Sequence, residues 1–243
     1  WINAWLLGRS IAKWMRASKC HSPIFWTFLP TPVVHDIINE LEPELVVYYC
    51  TANFLKTSLA AKAVEASEQE LFRRADLVFV TSRQLQDSAQ RFRPVAHFSP
   101  CGVDFESFEA CRQSKEPEDI SIIPRPRFGY VGGLHYWFDF ELLLEAALKR
   151  PDYHFVLIGP DYEDTSALRK LPNVHFLGKR SHDTLPAYIG AFDAGIIPYR
   201  LTEYTESVYP TKMNEYFAMG IPVISTALPE ILIYDKSHKG VVA

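Results

Sequence analysis

Apolar residues in this chain fall into short continuous runs, separated by stretches with helical spacing. Pro23-Ile-Phe-Trp-Thr-Phe-Leu29, Leu45–Cys50, Leu77–Thr81 and Val95–Ser99 read as strands. Continuous rather than alternating apolar character belongs to strands covered on both faces, as in a parallel sheet. Between them Trp1–Lys19, Val33–Leu41, Asn53–Arg74 and Arg83–Phe92 read as helices. The alternation restarts further on, with strands expected at Phe128–Val131, Tyr153–Ile158, Val174–Leu177, Ala194–Ile197 and Pro222–Thr226. Helices are expected there at Asp139–Lys149, Asp183–Ala191 and Thr211–Met219. Strands alternating with helices imply βαβ units, so the fold class is α/β with two Rossmann-like parallel-sheet halves.

The stretch Glu106–Arg127 changes character, being rich in Lys, Glu, Asp and Ser and ending in Pro124-Arg-Pro126. It reads as a linker. The expected division is 1–116 for a first domain, 117–127 for the linker and 128–243 for a second. The helix Trp1–Lys19 mixes Trp5, Ile11, Trp14 and Met15 with Arg9, Lys13, Arg16 and Lys19. It reads as an amphipathic helix covering a sheet, or as one resting on an anionic membrane surface.

Composition narrows the picture further. A length of 243 residues fits between one and two domains. With 48% hydrophobic and 22% charged residues the chain is an ordinary globular one, not a disordered one. Lys+Arg 25 against Asp+Glu 29 gives −4, so no basic field advertises nucleic acid. Its longest apolar runs fall well short of the roughly 20 residues that span a bilayer. Cys20, Cys50, Cys101 and Cys111 have no metal-ligand spacing and read as reduced thiols of a cytosolic protein. The chain opens on Trp1 and closes on Gly240-Val-Val-Ala243, which resembles a strand just beginning, so it is expected to be an internal piece of a longer protein.

In an open parallel sheet ligands bind at the carboxyl ends of strands. Four loops of the second half become candidates. Phe128-Gly-Tyr-Val-Gly-Gly-Leu134 brings Gly132 and Gly133 to a strand end, followed by His135, a candidate phosphate or sugar contact. No GxGxxG dinucleotide pattern is present, and Asp139-Phe-Glu141 reads as a helix cap rather than a metal-binding pair. Phe155-Val-Leu-Ile-Gly-Pro160 and Val174-His-Phe-Leu-Gly-Lys-Arg180 also end on glycine, the latter with Lys179 and Arg180 as solvated cations or as ligand contacts. The fourth loop, Tyr199–Pro210, holds Glu206 and Ser207 and feeds a helix beginning Thr211-Lys212, with Glu215 one turn on. There Glu215 could accept both hydrogens of a ribose diol while Lys212 neutralises a diphosphate, or the two could form an exposed Lys–Glu pair.

The motif Tyr209-Pro-Thr-Lys-Met-Asn-Glu-Tyr-Phe-Ala-Met-Gly-Ile-Pro-Val-Ile-Ser-Thr226 resembles the donor-binding helix and following strand of retaining GT-B glycosyltransferases of family four. Ala75-Asp-Leu-Val-Phe-Val-Thr-Ser82, and then Cys101-Gly-Val-Asp104 with Phe108, are similar to the signatures that close that family's first domain. The glycine loops above, and Asn173-Val-His-Phe-Leu-Gly178, follow in family order. The resemblance implies a transferase moving a sugar from a nucleotide sugar to a polysaccharide or lipid-linked acceptor, with retained configuration, no metal and no further cofactor. It implies a donor site of Gly132, Gly133, His135, Lys179, Arg180, Glu206, Ser207, Thr211, Lys212 and Glu215. A non-catalytic nucleotide-binding subunit and a sugar-nucleotide epimerase stay open as alternatives. So does peripheral association with the cytoplasmic face of a membrane. Ser207 stands where the family often has a second glutamate, and Gly133 and Tyr136-Trp-Phe138 replace its loop cations.

Overall fold

Four parallel strands carry the first unit: β1 (Ile24–Thr27), β2 (Leu45–Cys50), β3 (Leu77–Val80) and β4 (His97–Phe98), hydrogen-bonded in that order. The computed structural model describes residues 2–53, 61–235 and 241–242. Helices α1 (Ile2–Ala17), α2 (Pro32–Leu41), α3 (Ala61–Arg74) and α4 (Arg83–Gln90) alternate with these strands as expected. The first residues of the helix expected from Asn53 fall partly outside the described residues. Successive strand residues face opposite sides, so Val46, Tyr48, Cys50, Val78 and Val80 meet Val34, Ile38, Leu71, Phe72 and Leu85 in one core.

The other face of this sheet is aromatic. Trp26 stacks on Phe79 with centroids 5.8 Å apart, Phe28 meets Tyr49 at 5.6 Å and Phe79 meets His97 at 5.5 Å. Burial of the first strand on both faces is not what the structure has: Ile24, Trp26, Phe28 and Leu29 are exposed, because β1 pairs only with β2 among the described strands. Among the described residues α1 packs chiefly against α2; Gly8 lies where a Cβ would be 3.1 Å from Glu40 Cγ, and Trp5, Leu6, Leu7 and Trp14 are exposed.

The second unit begins at Cys101, earlier than the expected linker, and holds Cys101–Glu206 and the chain from Pro210; Ser207–Tyr209 fall with the first. The expected linker is structured. Asp104 caps α5 (Phe105–Ala110), accepting from Ser107 N at 3.2 Å, and α6 (Glu118–Ser121) follows. Arg127 then fastens this stretch to the sheet. Its side chain, 5% exposed, donates to Ile123 O at 2.7 Å, Ser121 O at 3.2 Å and Glu116 Oε2 at 2.8 Å. A segment charged enough to read as a solvated linker is thus an ion-paired strap of the second unit. The Cys101-Gly-Val-Asp104 motif with buried Phe108 belongs to this unit as well.

Its sheet contains β5 (Arg127–Val131), β6 (His154–Ile158), β7 (Val174–Phe176), β8 (Ala194–Ile197), β9 (Val223–Ser225) and β10 (Val241–Val242), all parallel. The order is β10-β9-β8-β5-β6-β7. Chain progression therefore runs one way from β5 and the other way from β8. That makes the β5/β8 junction the topological switch point, where the connecting loops part and leave a crevice. Helices α7 (Phe140–Lys149), α8 (Leu185–Ile189), α9 (Thr211–Ala218) and α10 (Pro229–Asp235) flank the sheet, α10 being an element the sequence pattern did not mark. Asp139 caps α7, accepting from Leu142 N at 3.0 Å, which is the role read from Asp139-Phe-Glu141.

Candidate donor site at the switch point

The loops leaving β5, β6 and β7 are stitched edge to edge by backbone hydrogen bonds. Gly132 N donates to Ile158 O at 2.8 Å, Gly159 N to Gly178 O at 3.0 Å and Leu134 N to Pro160 O at 2.9 Å. Gly132 and Gly159 have φ of 145° and 153°, backbone that glycine alone adopts readily. A Cβ on Gly159 would lie 2.0 Å from Gly132 O, so the close approach of these loops requires glycine there. Across the switch point Asp139 N donates to Pro198 O at 2.7 Å and Arg200 N to Trp137 O at 2.8 Å, fixing the loop after β8 to the loop after β5.

Helix α9 supplies the charges. Tyr216, fully buried, accepts from Val131 N at 3.1 Å through its hydroxyl, pinning α9 to the end of β5. That anchor aims Lys212 at the glycine loop: a Cβ on Gly132 would lie 2.4 Å from Lys212 Cε and 2.8 Å from its Nζ. The ammonium sits over two tyrosine rings, 5.3 Å from the Tyr130 centroid and 5.8 Å from that of Tyr199. Such cation–π contacts hold a cation while leaving its outer donors free for a ligand. Pro210, the N-cap of α9, offers no side-chain acceptor, and its carbonyl accepts from Met213 N at 3.0 Å.

Glu215 lies one turn further along α9, its side chain 19% exposed. Burial raises its carboxyl pKa above the ordinary range, and the charges of Lys212 and His182 pull it back down. His182 Nε2 stands 3.9 Å from Glu215 Oε1. His182 was not marked as a site residue; its ring packs edge-on to Phe108 at 6.1 Å. His135, whose pKa burial lowers, is wedged between Tyr162 and Trp137 beside Gly133.

The structure thus gathers Gly132, Gly133, His135, Lys212 and Glu215, with exposed Thr211 beside Lys212 at the start of α9. Arg180 is engaged elsewhere: its guanidinium donates to Asp119 Oδ2 at 2.7 Å and to Tyr188 Oη at 2.9 Å. These are protein partners that the local sequence does not supply. Exposed Lys179 lines a cavity of about 540 Å³ with Cys111, Ser114 and Asp183. Glu206 is exposed, on a turn that Thr205 fastens by bonding back to Thr202 N at 2.9 Å, and Ser207 is buried. A separate apolar cavity of about 390 Å³ lies under α7, lined by Phe128, Leu143, Tyr153 and Ile196. Its lining is mostly apolar, with Arg150, Ser225 and Thr226 as its polar members.

Residues 125–243 match the family described as glycosyl transferases group 1. This match takes in a little under half of the chain. The chain is also 31% identical over 232 residues to TuaH of Bacillus subtilis (strain 168), a protein named for glycosyl transfer in teichuronic acid biosynthesis. That match takes in 88% of this chain and 58% of TuaH, so the chain spans little more than half of that relative. Two solved structures share the fold. Sucrose-phosphate synthase from Thermosynechococcus elongatus superposes with a TM-score of 0.70 at 19% identity, over 93% of this chain and 61% of its own. Anabaena Alr3699/HepE, solved with UDP and glucose, gives 0.67 at 17% identity, over 92% and 64%. The glycosyltransferase group 1 segment begins two residues before β5 and contains every glycine loop and charged group of the crevice described above.

Proposed function

We propose that the chain is part of a glycosyltransferase that takes a sugar from a nucleotide sugar and passes it, with retained anomeric configuration and without a metal, to a polysaccharide or lipid-linked acceptor. The observation that carries this reading is the seating of Lys212 against Gly132 at the switch point, with Glu215 one turn along the same helix. In it the Glu215 carboxylate accepts hydrogen bonds from the ribose diol. Lys212 holds the diphosphate, with Thr211 beside it at the start of α9. Gly132 and Gly133 let the phosphates approach the backbone.

During transfer the bond between the sugar's anomeric carbon and the diphosphate oxygen breaks, and its electron pair leaves with the diphosphate. A bond from the acceptor hydroxyl oxygen to the anomeric carbon forms, and the hydroxyl proton passes to the departing phosphate. Lys212 stabilises the negative charge that grows on the leaving group, a placement worth most where it needs no reorganisation. Basic Arg9, Lys13 and Arg16 of α1, beside exposed Trp5, Leu6 and Trp14, support association with an anionic membrane face where lipid-linked acceptors reside. Among the described residues no helix is long and apolar enough to cross a membrane.

A thermal-shift and calorimetric panel of UDP, GDP, ADP and TDP tests the donor assignment. The expected result is a shift with one of the nucleotides that Glu215→Ala abolishes. A folded protein that responds to none of them removes the donor site from this helix.

A further inference from the structure

Beyond Gly133 a series of aromatic rings leads away from Lys212. Tyr162 stacks on His135 with centroids 3.9 Å and planes 6° apart, and His135 meets Trp137 at 4.2 Å. Trp137 in turn meets Tyr136 at 5.0 Å and Tyr204 at 5.8 Å, and Tyr136 and Tyr204 lie 6.2 Å apart. Three different loops supply these rings, those following β5, β6 and β8. Backbone bonds from Tyr162 N to Leu134 O (3.1 Å) and from Arg200 N to Trp137 O hold the loops together. The loops that carry the rings are therefore joined before any ligand arrives. Tyr136 is nevertheless 49% exposed and Tyr162 60%.

Direction along the site identifies what these rings meet. Glu215, Lys212 and the rings follow one another: a Cβ on Gly132 points at Lys212, and one on the next residue, Gly133, would lie 2.8 Å from Tyr162 Cε2 and 2.9 Å from His135 Nε2. Adjacent Cα atoms are only about 3.8 Å apart. A nucleotide sugar laid with its ribose at Glu215 and its diphosphate at Lys212 and Gly132 thus carries its hexose, not its base, towards the rings. A pyranose has a face of C–H groups whose positive partial charges suit the negative face of an aromatic ring, and tyrosine adds a hydroxyl at the rim.

We infer that Tyr136, Trp137 and Tyr204 form a stacking platform for the pyranose of the donor, with the Tyr162–His135 stack as its backing. This rests on the nucleotide-sugar reading. The platform selects donors by ring shape: a hexopyranose with an unbroken C–H face lies flat on it, and one with an axial hydroxyl on that face does not. Tyr136, Trp137 and Tyr204 are then specificity-determining residues for the hexose, while Lys212 and Glu215 answer for the nucleotide.

The test is calorimetric titration of the native chain, Tyr136→Ala, Tyr136→Phe and Tyr204→Ala with UDP and GDP, and with UDP-glucose, UDP-galactose, UDP-N-acetylglucosamine and GDP-mannose. For the sugar nucleotide that the native chain binds most tightly, each alanine variant is expected to lose about five- to tenfold in affinity. Each should stay within twofold of native for the matching nucleoside diphosphate, and Tyr136→Phe within twofold for both. An equal loss for both ligands, or a loss for neither, overturns the platform while leaving the nucleotide site standing. Failure of the native chain to bind any nucleoside diphosphate overturns both.

Discussion

Glu215→Gln is expected to make the protein more stable and a poorer nucleotide binder. The carboxyl sits on α9 with its side chain 19% exposed, and its one ion pair among the described residues is with His182 at a loose 3.9 Å. Burial holds its pKa above that of an unfolded-chain glutamate, despite the opposing charges of Lys212 and His182. The folded state therefore binds this proton more readily than the unfolded one. Stability is full below the unfolded pKa, near 4.3, and part of it is lost as pH rises through the folded value. At pH 7 the wild-type protein carries that whole penalty, and glutamine, of nearly the same shape, removes it. A chain of this size moves by about 2–4 °C in Tm for each kcal/mol, so the gain is readable by calorimetry.

Binding moves the opposite way. Glutamine keeps one acceptor but turns a donor towards the second ribose hydroxyl, so a charge-assisted hydrogen bond is lost. That costs about 1.5–3 kcal/mol, or roughly 10- to 150-fold in Kd. The assay is a pair of thermal melts, with and without the preferred nucleoside diphosphate, at pH 7 and pH 4. The variant should melt higher than wild type without ligand at pH 7, lose that advantage at pH 4, and gain far less from the nucleotide. A variant that melts lower than wild type at pH 7 and binds as well refutes the reasoning, because Glu215 would then be a stabilising surface carboxylate.

Lys212→Ala is expected to weaken a nucleoside diphosphate by a further 10- to 150-fold while leaving the nucleoside within twofold, measured by calorimetry; equal losses would take Lys212 away from the phosphates. Arg180→Ala should leave nucleotide affinity within twofold and cost no more than about 1 kcal/mol in a denaturant melt, because its partners Asp119 and Tyr188 are part-exposed protein groups and not ligand. Arg127→Ala should destabilise the protein by about 3–5 kcal/mol in the same melt, since it takes the buried donor away from the carbonyls of Ser121, Ile123 and Ala191, while Glu116 keeps its pair with Arg125; a change under 1 kcal/mol would mean that the 116–127 strap is not held by this residue.

The strands were legible because parallel-sheet strands advertise themselves as unbroken apolar runs: Leu45–Cys50 and His154–Ile158 are the clearest, and both lie inside their sheets. The strap from Glu106 to Arg127 was not, since its charges look solvated until Arg127, Arg125 and Glu116 are brought together by the fold. The ion pair of Arg180 was hidden for the same reason, its partner Asp119 lying 61 residues away. In the first strand the apolar run reported strand character correctly, but its exposure depends on which neighbours flank it, and no local pattern carries that. At the site, glycines at strand ends and a charged turn at a helix start were visible as local chemistry. The pairing of Gly132 with Lys212, the tyrosine rings under its ammonium and the approach of His182 to Glu215 come from the strand order, which brings distant loops to one switch point.

Sugar transfer itself is read by NMR of one reaction mixture. The protein is incubated with the sugar nucleotide it binds best and with cell-wall polysaccharide and polyprenyl-linked sugar as acceptors, following phosphorus and the anomeric proton together. Nucleoside diphosphate is expected to be released in step with a new glycosidic signal of the same anomeric configuration as the donor, both abolished by Lys212→Ala. A donor that binds but stays intact, or one whose sugar is epimerised without any acceptor, contradicts sugar transfer.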